Sequence, residues 1–392
     1  MAWRVRKVEE QRRKLIEDYQ SGEASITALS IEYGISRKTA YKWLRRHRDQ
    51  GDNGLIDLSR APKHPCRIYS KSLIDLAVEL KHSRPRWGPK KILAYLENKH
   101  PDLQWPSQTW LYEIFKSFHL TKVRRLRKRV PATAPLGQLT ACNDIWIADF
   151  KGWFRTQSKE ICEPLTISDA YSRFLIGCVH LHSKDSAHVW PIFERAFEEY
   201  GLPKRVRTDN GPPFGSRGAG RLTKLSVNLI KAGVQPEWIN PGHPEENGRH
   251  ERFHLTLKDA VADPPARTLK EQISRMCEFV DEYNFDRPHE ALDMQTPAGC
   301  YSCSVRKWDG RLRGPEYDTS LFMVRKICPS GALWFKGIEC YISSTLQGEY
   351  VGLRESDLGG MEVHYGPVFL GILDHGELKQ PKLCPKRVIR RG

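Results

Sequence analysis

No run of about 18 consecutive apolar residues occurs in this 392-residue chain, which excludes a membrane-spanning helix of ordinary length. Residues 1–10 are polar and lack the apolar centre of a secretory signal, so a cytoplasmic chain is expected. Cys300 and Cys303 form the single Cys-x-x-Cys pair, and no second Cys or His pair lies near them to complete a tetrahedral zinc site. The ten cysteines are otherwise scattered, in a chain long enough to need no disulfide staples, which suits a reducing compartment. Acidic residues are scarce in one region: residues 1–140 hold 14 Asp and Glu against 29 Lys and Arg, while the other 252 hold 33 against 34. Nearly all of the net charge of +16 therefore sits in the first third. A scattered excess would serve solubility, but a segregated one is the footprint of a polyanion, because each neutralised phosphate releases a condensed counterion.

What is present begins with cores. An apolar fraction of 39%, with 11 Trp, 14 Phe and 14 Tyr, excludes wholesale disorder, and the length implies two to four domains. Residues 8–22 read as a helix with Leu15, Ile16 and Tyr19 on its apolar face. Ser25 is placed to cap a second helix that stops at Gly34, and Ser36 a third. That third helix turns Ala40, Trp43 and Leu44 inward and Arg37, Lys38, Lys42, Arg45, Arg46 and Arg48 outward. Three helices with a basic last member describe a helix-turn-helix unit. Helices over 70–82 and 88–99, and a third starting near Pro106 and Ser107, make a second unit. Lys122–Arg129 has six basic residues in eight, and its Arg124, Arg125, Arg127, Lys128 and Arg129 suit an arm that touches phosphates.

From Asn143 onward the pattern changes to strands alternating with helices, the α/β class. Strands are expected over 145–154, 165–168, 174–181, 205–208 and 235–240, and helices over 186–200, 222–232 and 245–261. Asp149 lies inside an apolar, aromatic strand, where a carboxylate is costly unless paired or bound to metal. Asp209 ends a strand and is followed by Asn210-Gly211, a tight turn at the end of the sheet where open α/β folds place ligands. Glu251 flanks the apolar stripe Phe253, Leu257, Ala260 and Val261 of the last of these helices. Carboxylates at such positions suit hard divalent cations.

Four segments carry a family resemblance: NDIWIADFKG, TDNGPPF, NPGHPEENGRHERFHLTLK and YNFDRPHEALDMQTPA, in this order within residues 143–298. They closely resemble the catalytic core of bacterial insertion-sequence transposases related to retroviral integrases. The resemblance implies a core similar to ribonuclease H, with Asp149, Asp209 and Glu251 as the catalytic carboxylates that hold two Mg2+ or Mn2+ ions. It implies binding to double-stranded DNA at the element ends and at a target, a homo-oligomer assembled on that DNA, and association with the bacterial nucleoid. Asp209 and Glu251 are 42 positions apart, longer than is usual in the family, which points to extra loop around 215–221. Glu245 and Glu246 are rivals for the third place, though they precede the Asn247-Gly248 turn. Position 255 is Leu where relatives often have a basic residue, so DNA contacts from this helix fall to Arg252, His254 and Lys258. A domesticated or inactive relative acting as a DNA-binding regulator is the competing reading.

The expected organisation is therefore multidomain: helix-turn-helix domains, an α/β ribonuclease H-like core and a small C-terminal β barrel. Its boundaries are a first helix-turn-helix domain over 1–50, a linker over 51–66, and a second such domain with its basic arm over 67–130. A linker over 131–142 leads to the catalytic core over 143–300. A linker over 301–318, the β domain over 319–378 and a basic tail over 379–392 complete it.

Overall fold

The computed structural model describes residues 8–58, 69–121, 139–240, 246, 248–356, 360–374 and 376–380. The expected basic arm, with Arg124, Arg125, Arg127, Lys128 and Arg129, lies outside the described residues, as do Glu245 and the end of the tail. Packing divides the chain into two units that meet between Ser70 and Lys71.

In the first unit, α1 (Val8–Gln20), α2 (Ile26–Glu32) and α3 (Arg37–Gln50) enclose Leu15, Leu29 and Ala40. Ser25 and Ser36 cap α2 and α3 as their sequence positions suggest, accepting from the backbone N–H of Ala28 and Thr39. Gly51–Leu55 was expected to begin a linker; it is a 3-10 turn folded back on α3. Its one buried apolar side chain, Leu55, packs with Ile16 and Trp43. Arg12 donates to the Leu55 carbonyl at 2.6 Å and Arg46 to the Ile56 carbonyl at 2.9 Å. The return is so close that a Cβ on Gly54 would lie 2.2 Å from the Arg46 carbonyl oxygen.

The second unit opens with α4 (Lys71–Ser83), α5 (Pro89–Lys99) and α6 (Gln108–Ser117), the last capped by Ser107. Trp87, Ile92, Leu96, Leu111 and Phe115 form their core. The central sheet follows, built from β1 (Ile145–Phe150), β4 (Pro164–Asp169), β5 (Leu175–His180), β6 (Arg205–Thr208) and β7 (Gln235–Trp238). A small hairpin of β2 (Phe154–Arg155) and β3 (Ile161–Cys162) stands beside it. The order is β5-β4-β1-β6-β7, with the first three strands antiparallel and β1, β6 and β7 parallel.

Helices α7 (Ser186–Tyr200) and α8 (Lys224–Lys231) bury Trp146, Ala148 and Val206 on one face. On the other, α9 (Gly248–Leu257) and α10 (Leu269–Asp281) pack Phe253, Leu257, Met276 and Phe279 against Cys162, Leu175 and Cys178. A short α11 (Pro297–Cys300) closes the core. Asn284, just past α10, accepts from the Leu175 N–H at 2.8 Å and donates to the Leu175 carbonyl at 2.9 Å, so a side chain stands where another strand would pair with β5.

Residues 301–318 were expected to be a linker; most of them are a strap on the core. Ser304 and Arg306 donate to the carbonyls of Leu202, Pro203 and Gly233, and Trp308 stacks edge-on with Trp190 and Phe197. Beyond lie β8 (Met323–Lys326), β9 (Ala332–Phe335), β10 (Ile338–Tyr341), β11 (Tyr350–Glu355), β12 (Met361–Tyr365), β13 (Val368–Asp374) and β14 (Glu377–Lys379). Five of them form a sheet of order β14-β13-β12-β11-β8, and β9 and β10 form a separate hairpin.

The hairpin lies across the gap, β9 beside β8 and β10 beside β14, but among the described residues no ladder joins them and the expected closed barrel is open. The extra loop near 215–221 is part of this interface rather than slack. Ala219, Leu222, Val227 and Ile230 share a core with Val351, Val363 and Leu370, and a Cβ on Gly220 would lie 2.6 Å from Leu370. Among the described residues no helix is long and apolar enough to cross a membrane.

Candidate active site

The parallel pairing of β1 with β6 sets Ile147 opposite Arg207. Two residues further on from this pair come Asp149, near the end of β1, and Asp209, just past the end of β6, the same offset of 60 apart. Each is half-buried. Burial pushes the Asp209 carboxyl above its ordinary range, against the pull of the Gly211 N–H and of Lys184. Gly211 donates to Asp209 Oδ1 at 3.3 Å, and a Cβ there would lie 3.2 Å from Oδ2, a tight contact with the carboxylate. Asn210 is pinned by donation to the Ile239 carbonyl and by the Arg221 guanidinium. A desolvated carboxylate such as Asp209 at the end of a strand is an oxygen donor that a divalent cation fits, because the ion removes the cost of burying its charge.

Helix α9 lies over the same face of the sheet. His250 is fully buried, and its Nε2 is 2.7 Å from Thr166 Oγ1; His254, one turn on, brings its Nε2 to 2.8 Å from the same oxygen. Thr166 is the β4 residue paired with Asp149, and its hydroxyl donates to the Asp149 carbonyl at 3.0 Å. Asp149, His250 and His254 are thus gathered within 4.8 Å of one another. His254 Nδ1 stands 4.0 Å from Asp149 Oδ2. This is not an ion pair: burial, reinforced by Lys151, holds the His254 imidazole down at about 4, and His250 is likewise neutral through burial beside His254.

Glu251 is on α9 but is not drawn into this group. Its side chain is exposed, and among the described residues it has no hydrogen-bond or ion-pair partner. Glu246 is committed elsewhere, since both its oxygens accept from Asn240, each at 2.7 Å. Exposed Arg252 shares α9 with Glu251, exposed Lys258 opens the π-helical turn that follows it, and Lys151, beside Lys258, is held below its ordinary value chiefly by burial. On α3 of the first unit Arg37, Lys38, Lys42 and Arg45 are exposed, whereas Arg46 turns inward over the Trp43 ring. The Thr166-His250-His254 cluster was not singled out from the sequence, although two histidines spaced i, i+4 were visible in HERFH.

Residues 140–244 and 232–297 match the models of the Integrase core domain. Residues 11–63 match a Helix-turn-helix domain and 39–115 a Homeodomain-like domain. An uncharacterized 31.7 kDa protein of insertion element IS407 from Burkholderia multivorans is 27% identical over 255 residues, covering 62% of this chain and 87% of that protein. The transposase for transposon Tn552 from Staphylococcus aureus is 24% identical over 411 residues, 93% of this chain and 83% of its own length. The chain is similar to insertion-sequence transposases, and its residues 140–297 match the Integrase core domain. Among solved structures, the HTLV-2 integrase catalytic core domain in complex with magnesium overlays 41% of this chain and 97% of its own at 18% identity, with a TM-score of 0.32. The two matched segments span β1, β6 and α9, with Asp149 on β1, Asp209 just past β6 and Glu251 on α9.

Proposed function

We propose that this chain is a DNA transposase that cuts the ends of a mobile element and joins them to target DNA. The observation that supports the reading is the parallel β1–β6 register, with Ile147 opposite Arg207 and Asp149 and Asp209 each two residues further on, together with the contact of His250 and His254 of α9 with Thr166, the strand partner of Asp149. Asp149, Asp209 and Glu251 are the residues to hold two Mg2+ or Mn2+ ions. Such a pair, when bound, polarises the attacking oxygen and stabilises the leaving oxygen of a phosphodiester exchange. The chain's own part is to fix the reacting phosphate: Lys151, Arg252 and Lys258 neutralise its charge, and the packed sheet holds the carboxylates in place. Hydrolysis at the element end frees a 3′ hydroxyl, and that hydroxyl attacks a target phosphate in line. Two ends must be joined together, which calls for more than one copy of the chain on the DNA. Arg37, Lys38, Lys42 and Arg45 of α3 face the element-end DNA, while Arg46 serves the fold of the first unit.

The test replaces each carboxylate without changing its shape. Asp149→Asn, Asp209→Asn and Glu251→Gln should each lower cleavage and joining of supercoiled DNA carrying both element ends on the order of 10³-fold or more, as loss of a transition-state charge partner does. DNA binding should survive, because the helix-turn-helix units lie elsewhere. Glu246→Gln should retain activity, since its carboxylate is spent on Asn240. Normal joining by Glu251→Gln beside a dead Glu246→Gln would move the third position. Full activity in both Asp variants would overturn the reading.

A further inference from the structure

Counting protons around Thr166 separates the two histidines. A carbonyl oxygen only accepts, so the one proton of the Thr166 hydroxyl goes to the Asp149 carbonyl. The two lone pairs left on Thr166 Oγ1 face His250 Nε2 at 2.7 Å and His254 Nε2 at 2.8 Å, and each ring must donate. Both imidazoles therefore carry their proton on Nε2 and leave Nδ1 bare. The Nδ1 of His250 is met by Ser168 Oγ at 3.3 Å, which donates to it. His254 Nδ1 has no hydrogen-bond partner among the described residues, and it faces Asp149 Oδ2 at 4.0 Å.

A bare nitrogen lone pair aimed at a carboxylate oxygen in a half-buried site sets two electron-rich atoms against each other. A proton shared between them would need a much shorter approach. A cation between them converts the repulsion into two bonds, and two metal–ligand bonds of about 2.1 Å reach across such a gap. The partner on the far nitrogen is the arrangement that fixes a ligand histidine's tautomer and aim. Here that partner is the hydroxyl of the residue paired with Asp149, so the ligand and its support are tied to one strand pair.

We propose that His254 Nδ1 is a nitrogen ligand of the divalent ion held by Asp149, and that His250 is not a ligand but holds Thr166 in place. The inference rests on the reading of Asp149 as a metal carboxylate. A nitrogen in an otherwise oxygen donor set biases the site toward Mn2+ over Mg2+, because imidazole suits transition metals better than the hard alkaline-earth ions.

The experiment uses the full chain with Mn2+ and pulsed electron paramagnetic resonance, which detects nitrogen bonded to the ion without any assay of activity. Wild type should show a directly bonded 14N coupling that converts to the 15N pattern when histidine alone is labelled. His254→Gln keeps an N–H donor for Thr166 and so preserves the fold, but removes Nδ1. It should lose the coupling and weaken Mn2+ binding about tenfold or more, with a smaller loss for Mg2+. His250→Gln should retain the coupling. Mn2+ bound to wild type without nitrogen coupling would overturn this inference and leave the carboxylate reading standing. Coupling that survives in His254→Gln and vanishes in His250→Gln would show the two histidines to be assigned the wrong way round. Failure of wild type to bind Mn2+ at all would remove the carboxylate reading and this inference with it.

Discussion

Lys91 of α5 is held at a cost that should be measurable. It sits against the core, where burial first, then the guanidinium of Arg287 and that of Arg252, hold its ammonium down at about 8, with Glu290 and Glu282 pulling the other way. At about 1.4 kcal/mol for each tenfold change in proton affinity, the fall from 10.5 to about 8 amounts to a ceiling of about 3 kcal/mol. Residual exposure of the side chain screens part of this, leaving about 1–2 kcal/mol.

Below pH 8 the lysine is charged in both the folded and unfolded chain and the whole penalty is present. Between pH 8 and 10.5 the folded chain sheds the proton first, so stability gains with rising pH; above that range the penalty is gone. Lys91→Met keeps the length of the side chain and removes the charge. The variant should be more stable than wild type by about 1–2 kcal/mol at pH 7, or about 2–4 °C in melting temperature for a unit of this size. Its advantage should shrink by more than half at pH 9.5. Urea unfolding of both proteins, followed by tryptophan fluorescence at the two pH values, makes the comparison. A variant no more stable than wild type at pH 7, or an advantage that does not change with pH, would refute the reasoning.

Four further outcomes follow from named residues. Asn284→Leu should destabilise the core by about 2–5 kcal/mol in urea unfolding, because the buried N–H and carbonyl of Leu175 both lose their partner. Arg45→Ala should weaken binding to element-end DNA and lower the slope of log K against log salt by about one, with unfolding unchanged. Arg46→Ala should instead loosen the first unit, read as a lower melting temperature of residues 1–70, since its guanidinium holds the Ile56 carbonyl and covers Trp43. Gly220→Val should release the C-terminal sheet from the core, seen as new proteolysis near residues 215–222, because there is no room for a side chain beside Leu370 and Val368.

Helix starts were legible wherever a local signal set them. Ser25, Ser36 and Ser107 cap where their spacing from apolar residues says they should, since a cap bond reaches only two or three residues along the chain. The strands around Asp149 and Asp209 were legible for the same reason: short apolar runs end at Asp-Asn-Gly and similar turns. Helix α10 also carries a local start signal, the Thr268 and Glu271 capping box before its apolar residues. What no local pattern carried was partnership at a distance. Leu55 as the apolar anchor of a polar turn, Arg306 binding carbonyls 73 and 103 residues away, and Thr166 choosing the tautomers of two histidines on α9 all depend on the folded neighbour. Of the rivals for the third carboxylate, Glu246 is taken up by Asn240, a contact that the chain's own periodicity does not carry.

The pairing of β1 with β6 also governs what the chain can tolerate between its two aspartates. Wherever the backbone leaves the sheet, in the β2–β3 hairpin or between β5 and α7, residues can be added at the modest cost of closing a longer loop. Within β6 a single added residue would turn Asp209 to the opposite face, toward α7 and α8, and away from Asp149. Arg207 guards against that slip, because its guanidinium is buried and fastened to Glu237 on β7 at 2.7 Å, so β6 cannot slide without breaking a charged pair. The separation of the carboxylates is therefore measured in rungs of a ladder, and drift in sequence length can pass through this region without being felt at the strand ends.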